Sequence, residues 1–232
     1  MKKYFSDLRK FRKLGGLINR VYPILKEYRE SAGIIGGHYF HQDLLVAQFI
    51  QEKNPRLHID FGSRIDGFVA HVASFRDIQV FDIRELSLSA HSRIHFKQFD
   101  LMKATNQKPV TDSISCLHTI EHLGLGRYGD DIDPNGSKKG FQNLLNLLEA
   151  EGTLYISFPI GKVTSVLFNA HRIFHPREIL TWTEGKLDLI RFDLVDDHGD
   201  LHKNVDLNVV ERNFDFDYGC GIYTFQKKSI ES

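Results

Sequence analysis

Within the stretch SCLHTIEHLGLGRYGDDIDPNG, residues 115–136, His118, Glu121 and His122 fall inside five positions. Two imidazoles and a carboxylate at that density suit three kinds of chemistry: holding a divalent ion, moving a proton, or bonding the backbone of a polar loop. A neutral imidazole removes protons well because its unperturbed pKa lies near about 6.5. His122 is the first candidate for such a base, and His171, in FNAHRIF, is the second. Either histidine could instead fix backbone as a hydrogen-bond partner in a loop. Glu121 could orient one of the two, and Arg127 or Arg172 could grip an anionic acceptor through paired N–H bonds.

The elements that must position these side chains follow from periodicity. LHIDF (57–61), IQVFDI (78–83), IHFKQFDL (94–101), DSISCL (112–117) and TLYISF (153–158) are short apolar runs that predict strands. Between them, GFVAHVASF (67–75) and FQNLLNLL (141–148) carry apolar residues at helical spacing, with Gly152 as the expected helix cap and Pro159 as the expected strand stop. HQDLLVAQFIQEK (41–53) predicts a helix before the first strand, and GIIGGHYF (33–40) a loop. Strands alternating with amphipathic helices call for a parallel sheet covered on both faces, the Rossmann-like α/β class. LDLIRFDLV (187–195) and GIYTFQKK (221–228) follow without that alternation, so at least one is expected to run antiparallel.

Ligands of such sheets bind beyond the carboxyl ends of the strands, where Asp60, Asp82, Asp100 and His118 would stand. HIDFGSRIDGF (58–68) runs strand, glycine turn, helix, and Asp82 follows Gly62 by 20 positions, the spacing at which a carboxylate reaches ribose hydroxyls. GLGRYGDDIDPNG (124–136) has too many glycines and turn residues for a helix and is long for a connection. It reads as a lid offering Arg127, Tyr128, Asp130 and Asp133 to a polyhydroxylated ligand, or as a rigid surface loop capped by its aspartates.

Net charge is zero over 232 residues, with 41% apolar and 26% charged residues, which fits a globular protein and argues against a nucleic-acid partner. The two cysteines, Cys116 and Cys220, suit a reducing compartment, and the cytoplasm is the expected location. Residues 1–30 hold nine Lys/Arg against three Asp/Glu, with Phe5, Leu8, Phe11 and Leu14 at near-helical spacing. Helix is expected over 3–30, broken near Gly15-Gly16 and Pro23. Residues 1–40 are read as a basic helical extension and 41–232 as the main domain. The extension either packs its apolar stripe or touches an anionic membrane surface from the inner side.

Asp60-Phe61-Gly62, Asp82, Asp100, Asp112 and the segment ending Glu121-His122, followed by LLEAEGTLYISFP, resemble the motif series of class I S-adenosylmethionine-dependent methyltransferases over roughly residues 56–228. The strings GSRIDGFVAHVASF, CLHTIEHLGLGRYGD, FNAHRIF and DYGCGI resemble a bacterial family of unknown function and methyltransferase type. Its members often accompany genes for surface polysaccharide assembly. The resemblance implies a doubly wound seven-stranded sheet of order 3-2-1-4-5-7-6 with strand 7 antiparallel. It implies S-adenosylmethionine as cofactor, with Gly62 and Gly67 near its methionine portion, Asp82 on the ribose, and Asp100 with Leu101 bordering the adenine. Asp60, Ser63 and His118 complete the expected cofactor set. The implied reaction is O-methylation of a sugar or glycan intermediate. The sequence departs from the family pattern where Arg64 takes the place of the second turn glycine and Asp66-Gly67 displaces the third.

Four other readings compete. His118-x-x-Glu121-His122 matches the H-x-x-E-H string of one zinc peptidase class, which needs both histidines on one helix face, whereas this string begins where a strand ends. It also resembles metal-dependent RNA 3′-end 2′-O-methyltransferases, with His118, Glu121, His122 and His171 as the ligands available to a divalent ion. A nicotinamide-dependent oxidoreductase would need a G-x-G-x-x-G turn, which residues 60–67 do not supply. A methyltransferase-like scaffold without catalysis is the reading that Arg64 and Asp66 favour.

Overall fold

The structure, a computed structural model, describes residues 1–87, 91–103, 108–208 and 217–229. The chain divides into two compact units, Met1–Ile35 and Gly36–Ser232. In the first, α1 (Lys2–Lys13) ends on Lys10, Arg12 and Lys13, where cations complement the helix dipole. Gly15, at φ 86°, leaves helical space, and beyond it only the 3₁₀ turn Glu27–Arg29 is regular. The helix expected over 3–30 is thus confined to its first half. Lys3 lies 4.5 Å over the Tyr28 ring. Among the described residues no helix is long and apolar enough to cross a membrane.

The second unit opens with α2 (His38–Lys53), which starts three residues before the expected helix because Gly37, at φ 85°, turns the chain out of the preceding loop. Its Leu45, Val46 and Ile50 face inward, and Asn54 closes it in the left-handed conformation. One sheet follows, built from β1 (His58–Phe61), β2 (Ile78–Asp82), β3 (Ile94–Gln98), β4 (Thr111–Leu117), β5 (Leu148–Ile160), β8 (Leu187–Val195), β9 (Leu201–His202) and β10 (Gly219–Lys227). β6 (Ser165–Leu167) and β7 (His171–Ile173) form a separate hairpin. The order is β3-β2-β1-β4-β5-β10-β8-β9, with the first five strands parallel and β10 antiparallel to both its neighbours. This is the expected 3-2-1-4-5-7-6 sheet, with β10 as strand 7 and β9 added at the edge.

Both faces are covered. On one, Ile59, Phe61, Ile114 and Ile156 meet α4 (Gly136–Leu147) through Phe141, Leu144 and Leu145, and α5 (Glu178–Trp182) through Trp182. On the other, Val80, Leu117 and Ile222 meet α2 and α3 (Ala70–Ala73). Strand alternation divides the residues: Cys220 and Ile222 face α2, while Tyr223 and Phe225 face the opposite layer.

Three local expectations are corrected. α4 runs straight into β5 at Leu148, so Gly152 is no cap but lies inside the strand beside Glu151, whose φ of 60° forms part of an irregularity in the β4–β5 register. Pro159 does not stop β5. β4 has already ended beside Ser157, and Phe174 bonds the Pro159 carbonyl on that vacated side, so the missing N–H breaks no β4 ladder. The helix expected over 67–75 shrinks to α3 behind a wide turn, Ile65–Val69, because Gly67 adopts non-helical angles. Phe68, Val69 and Val72 are still fully buried.

Polar residues of β1 and β4 form a buried chain beneath the strand ends. His58 bonds the hydroxyls of Ser113 (2.8 Å) and Ser115 (3.0 Å), and Ser115 donates to Asp60 at 2.6 Å. Burial pushes Asp60 up to about 7, against the hydrogen bonds it accepts from Ser115 and Ser63, and pushes His58 down to about 3. Asp60 therefore binds a proton in the folded chain between pH 3.8 and about 7, where the unfolded chain has released it. Its contribution to stability is present at low pH and is lost as pH rises through that window. His58 acts in the opposite sense below pH 6.5. In urea melts, the stability of the parent relative to Asp60→Asn should grow by about 1.4 kcal/mol per pH unit as pH falls through that window. A difference that stays constant with pH would show Asp60 to be ionised in the fold.

Candidate functional site

The sheet order reverses direction between β1 and β4, and the carboxyl ends of those strands open onto a cleft of ≈ 570 Å³. Its floor is made by two nested turns. After β1, Gly62 stands at φ 72°, and a Cβ there would lie 2.6 Å from the Thr119 methyl group in the turn after β4. Asp60 secures the first turn from below by accepting the Ser63 N–H (3.1 Å) and hydroxyl (2.6 Å). The Ser63 hydroxyl oxygen in turn accepts the Leu117 N–H at 3.3 Å. Asp60 is thus a completely buried support of the turn, while Gly62 and Ser63 line the cleft. Gly67 lies outside the cleft lining and packs against the Asp43 carboxylate.

Asp82, at the end of β2, faces the cleft with Arg84 already on it: Nε lies 3.0 Å from one carboxylate oxygen and Nη2 2.7 Å from the other. The Arg84 guanidinium also covers the Tyr128 ring at 4.4 Å. Asp100 and Leu101 border a side slot of ≈ 60 Å³ walled by Phe61, Phe81 and Phe99. Asp100 is bonded within its own turn, to Met102 N (2.9 Å) and Lys103 Nζ (3.2 Å).

The turn after β4 carries the densest chemistry. His118 continues the ladder by donating its N–H to Ser157, yet sits at φ 48°, a left-handed conformation that costs a non-glycine residue about 1–2 kcal/mol. That conformation sets its imidazole beside Glu121, with Nδ1 2.8 Å from Oε1. Glu121 therefore orients His118 in the first place, whereas the expected partners were His122 and His171. Burial works against a charge on His118, but the adjoining Cys220 sulfur and the Glu121 carboxylate outweigh it and push its pKa up to about 10.

His122 is fixed differently. Its Nδ1 donates to the Ala170 carbonyl at 2.7 Å, which leaves Nε2 as the lone-pair nitrogen, 3.6 Å from Glu121 Oε1. Burial lowers its pKa below the ordinary histidine value, against the pull of Glu121. His171, on β7, lies edge-on to His122 with ring centres 6.4 Å apart, and burial lowers its pKa as well. Both imidazoles line the cleft and are neutral at pH 7.

The loop after His122 is rigidified from within. Asp130 accepts the N–H groups of Gly124 (2.7 Å), Gly126 (3.2 Å) and Tyr128 (3.2 Å), and Asp133 accepts that of Asn135. These aspartates act as caps, and the side chains that reach the cleft are Arg127 and Tyr128. Arg172, expected to hold an acceptor, lies outside the cleft lining. It is 5% exposed, and its guanidinium donates to the carbonyl of Leu123 (2.6 Å) and the hydroxyl of Ser137 (3.0 Å), with longer bonds to the carbonyls of Glu121, Asp133 and Pro134. It is the clamp of this loop.

The model of a family described as "Caenorhabditis protein of unknown function, DUF268" matches residues 73–211, more than half of the chain. The chain belongs to the DUF268 family. That description names Caenorhabditis, where the resemblance of the sequence strings points to a bacterial family. No curated protein matches the DUF268 chain. Among solved structures it is similar to an S-adenosylmethionine-dependent methyltransferase from Clostridium acetobutylicum (TM-score 0.54, 12% identity, 97% of this chain and 99% of that one). It is similar also to the N-methyltransferase NodS from Bradyrhizobium japonicum, solved with S-adenosylhomocysteine (TM-score 0.53, 10% identity, 83% and 89%). A third is the [4+2]-cyclase SpnF (TM-score 0.56, 13% identity, 85% and 89%). This DUF268 member therefore has the fold of class I S-adenosylmethionine-dependent methyltransferases.

Sequence reasoning missed part of the cleft wall. Tyr39 lies on a segment read as a loop, and Tyr218 in DYGCGI had no assigned role, yet both line the cleft. Arg84 was legible in principle, since a basic residue two positions past a strand-end aspartate can fold back on it.

Proposed function

We propose that the chain transfers a methyl group from S-adenosylmethionine to a hydroxyl of a sugar or glycan. The observation that carries this reading is the convergence of Gly62, Asp82 and the neutral His122 on one cleft at the switch point of a methyltransferase sheet. The residues suit the cofactor: the turn at Gly62 admits no Cβ, Asp82 offers a carboxylate at the rim, and the side slot is aromatic. Arg84 holds Asp82 through two charge-assisted bonds, so ribose hydroxyls reach that carboxylate only by displacing the half-exposed guanidinium.

When bound, the cofactor supplies an electrophilic methyl group on its sulfonium. The chain positions the acceptor and manages one proton. His122 Nε2 takes the hydroxyl proton, with the Ala170 carbonyl fixing its tautomer. Arg127, Tyr128 and Tyr218 supply donors for a polyhydroxylated acceptor. The choice of a glycan follows from the resemblance to methyltransferase-type proteins that accompany polysaccharide genes. A second reading, a binding protein without catalysis, draws on the pair of hydrogen bonds that Arg84 donates to Asp82 and on Arg64 in place of a glycine.

Calorimetry decides between them. S-adenosylmethionine is expected to bind, NAD(H) to give no heat, and Asp82→Ala to weaken cofactor binding by about 1–3 kcal/mol. Unchanged affinity in that variant removes the ribose assignment. Binding of neither ligand leaves the non-catalytic reading.

A further inference from the structure

Behind the cleft wall three metal-binding side chains from distant parts of the chain converge. They are His38 in the first turn of α2, His118 at the end of β4, and Cys220 on β10. Their donor atoms lie within 4.8 Å of one another. Of the ligand set suggested by sequence, His118, Glu121, His122 and His171, only His118 belongs to this group. We propose that His38, His118 and Cys220 bind a zinc ion.

Two features of the cluster point to a cation. The Nε2 atom of His118 is buried without an oxygen or nitrogen partner, and the group nearest to answering it is the adjoining Cys220 sulfur, a poor match for a buried polar atom. The Nδ1 atom of the same ring is held by Glu121, the arrangement in which a carboxylate orients a metal-bound imidazole. Glu121 is itself 1% exposed and has a second oxygen, Oε2, without a partner, so the surroundings hold excess acceptor capacity.

Two imidazoles and a thiolate suit zinc, which binds nitrogen at about 2.0–2.1 Å and sulfur at about 2.3 Å. The donors must close in by about 1 Å to meet those lengths around a tetrahedral ion. The His38 and His118 rings, stacked 5.3 Å apart with planes 11° from parallel, would tilt toward each other as they do so. Binding displaces the proton of the Cys220 thiol and any proton on His118 Nε2 to solvent. Three protein ligands leave a fourth position, and because His118 lines the cleft, an acceptor hydroxyl could take it. That use of the ion rests on the methyl-transfer reading, whereas the binding of zinc does not.

The test is cobalt(II) titration of the full chain after chelator treatment. A thiolate-to-cobalt absorption band should grow to saturation at a single ion per chain and vanish when zinc is added. Cys220→Ser should abolish the band. Glu121→Gln should weaken cobalt affinity by about 10–100-fold, the effect of losing a supporting carboxylate, and His38→Gln by more. Absence of the band, or a band that survives Cys220→Ser, overturns the proposal. Should Cys220→Ser fail to fold, His38→Gln carries the test, because its site is only half buried, and unchanged cobalt affinity there overturns it equally. Calorimetry with S-adenosylhomocysteine on the chelated chain keeps the two readings apart: cofactor binding without metal binding sinks only the zinc site.

Discussion

His122→Ala is expected to lower turnover by about 10²–10⁴-fold, the range contributed by a positioned general base, while leaving the affinity for S-adenosylhomocysteine nearly unchanged. The geometry makes this substitution unusually clean. The Ala170 carbonyl that anchors His122 also accepts a bond from Arg127 Nη1 at 2.7 Å, so it keeps a partner when the imidazole is removed. His122→Asn, which retains an N–H for that carbonyl but has no basic nitrogen, should lose as much rate as the alanine variant. The pH profile gives an independent readout. The active form of His122 is the neutral one, and burial lowers its pKa, so the half-point of the acid limb should lie below pH 6.5. That acid limb should disappear in the variants. Equal losses in turnover and cofactor affinity would show a histidine that merely supports the loop.

Arg172→Met should destabilise the fold by about 3–6 kcal/mol, the sum of its two shortest hydrogen bonds at about 1.5–3 kcal/mol each. Methionine retains the apolar stem and removes the guanidinium, which leaves the Leu123 carbonyl and the Ser137 hydroxyl without their charged donor. The clamp ties β7 to both ends of the loop that carries Arg127 and Tyr128, so turnover should fall along with stability. Urea denaturation checks the first effect through a lower midpoint at unchanged slope. A variant as stable as the parent would mean that the loop is held by Asp130 alone.

The sheet was legible because its determinants are local. LHIDF, IQVFDI and DSISCL are apolar runs too short for helices, and the fold brings their carboxyl ends, with Asp82 and His118, to the same rim. Gly62 and Asp82 were legible for the same reason, since turn chemistry and strand length fix where they stand. What escaped was set by partners far away in the chain. Pro159 reads as a stop until Phe174 is seen to occupy the vacated edge of β5. Arg172 reads as an anion binder until the carbonyls of a loop more than thirty residues earlier surround it. His38, His118 and Cys220 stand 80 and 102 positions apart, beyond any local pattern.

The nesting of Gly62 against Thr119 bears on how this protein can change over evolutionary time. The Thr119 side chain fills the space that a Cβ on Gly62 would need, so neither turn can be rebuilt without moving the other. Tyr39, Arg64 and Arg127, by contrast, stand exposed around the mouth of the cleft and can be exchanged one at a time. New acceptors would therefore be recruited by rewriting the mouth while the base stays fixed, and relatives with different substrates should diverge there first.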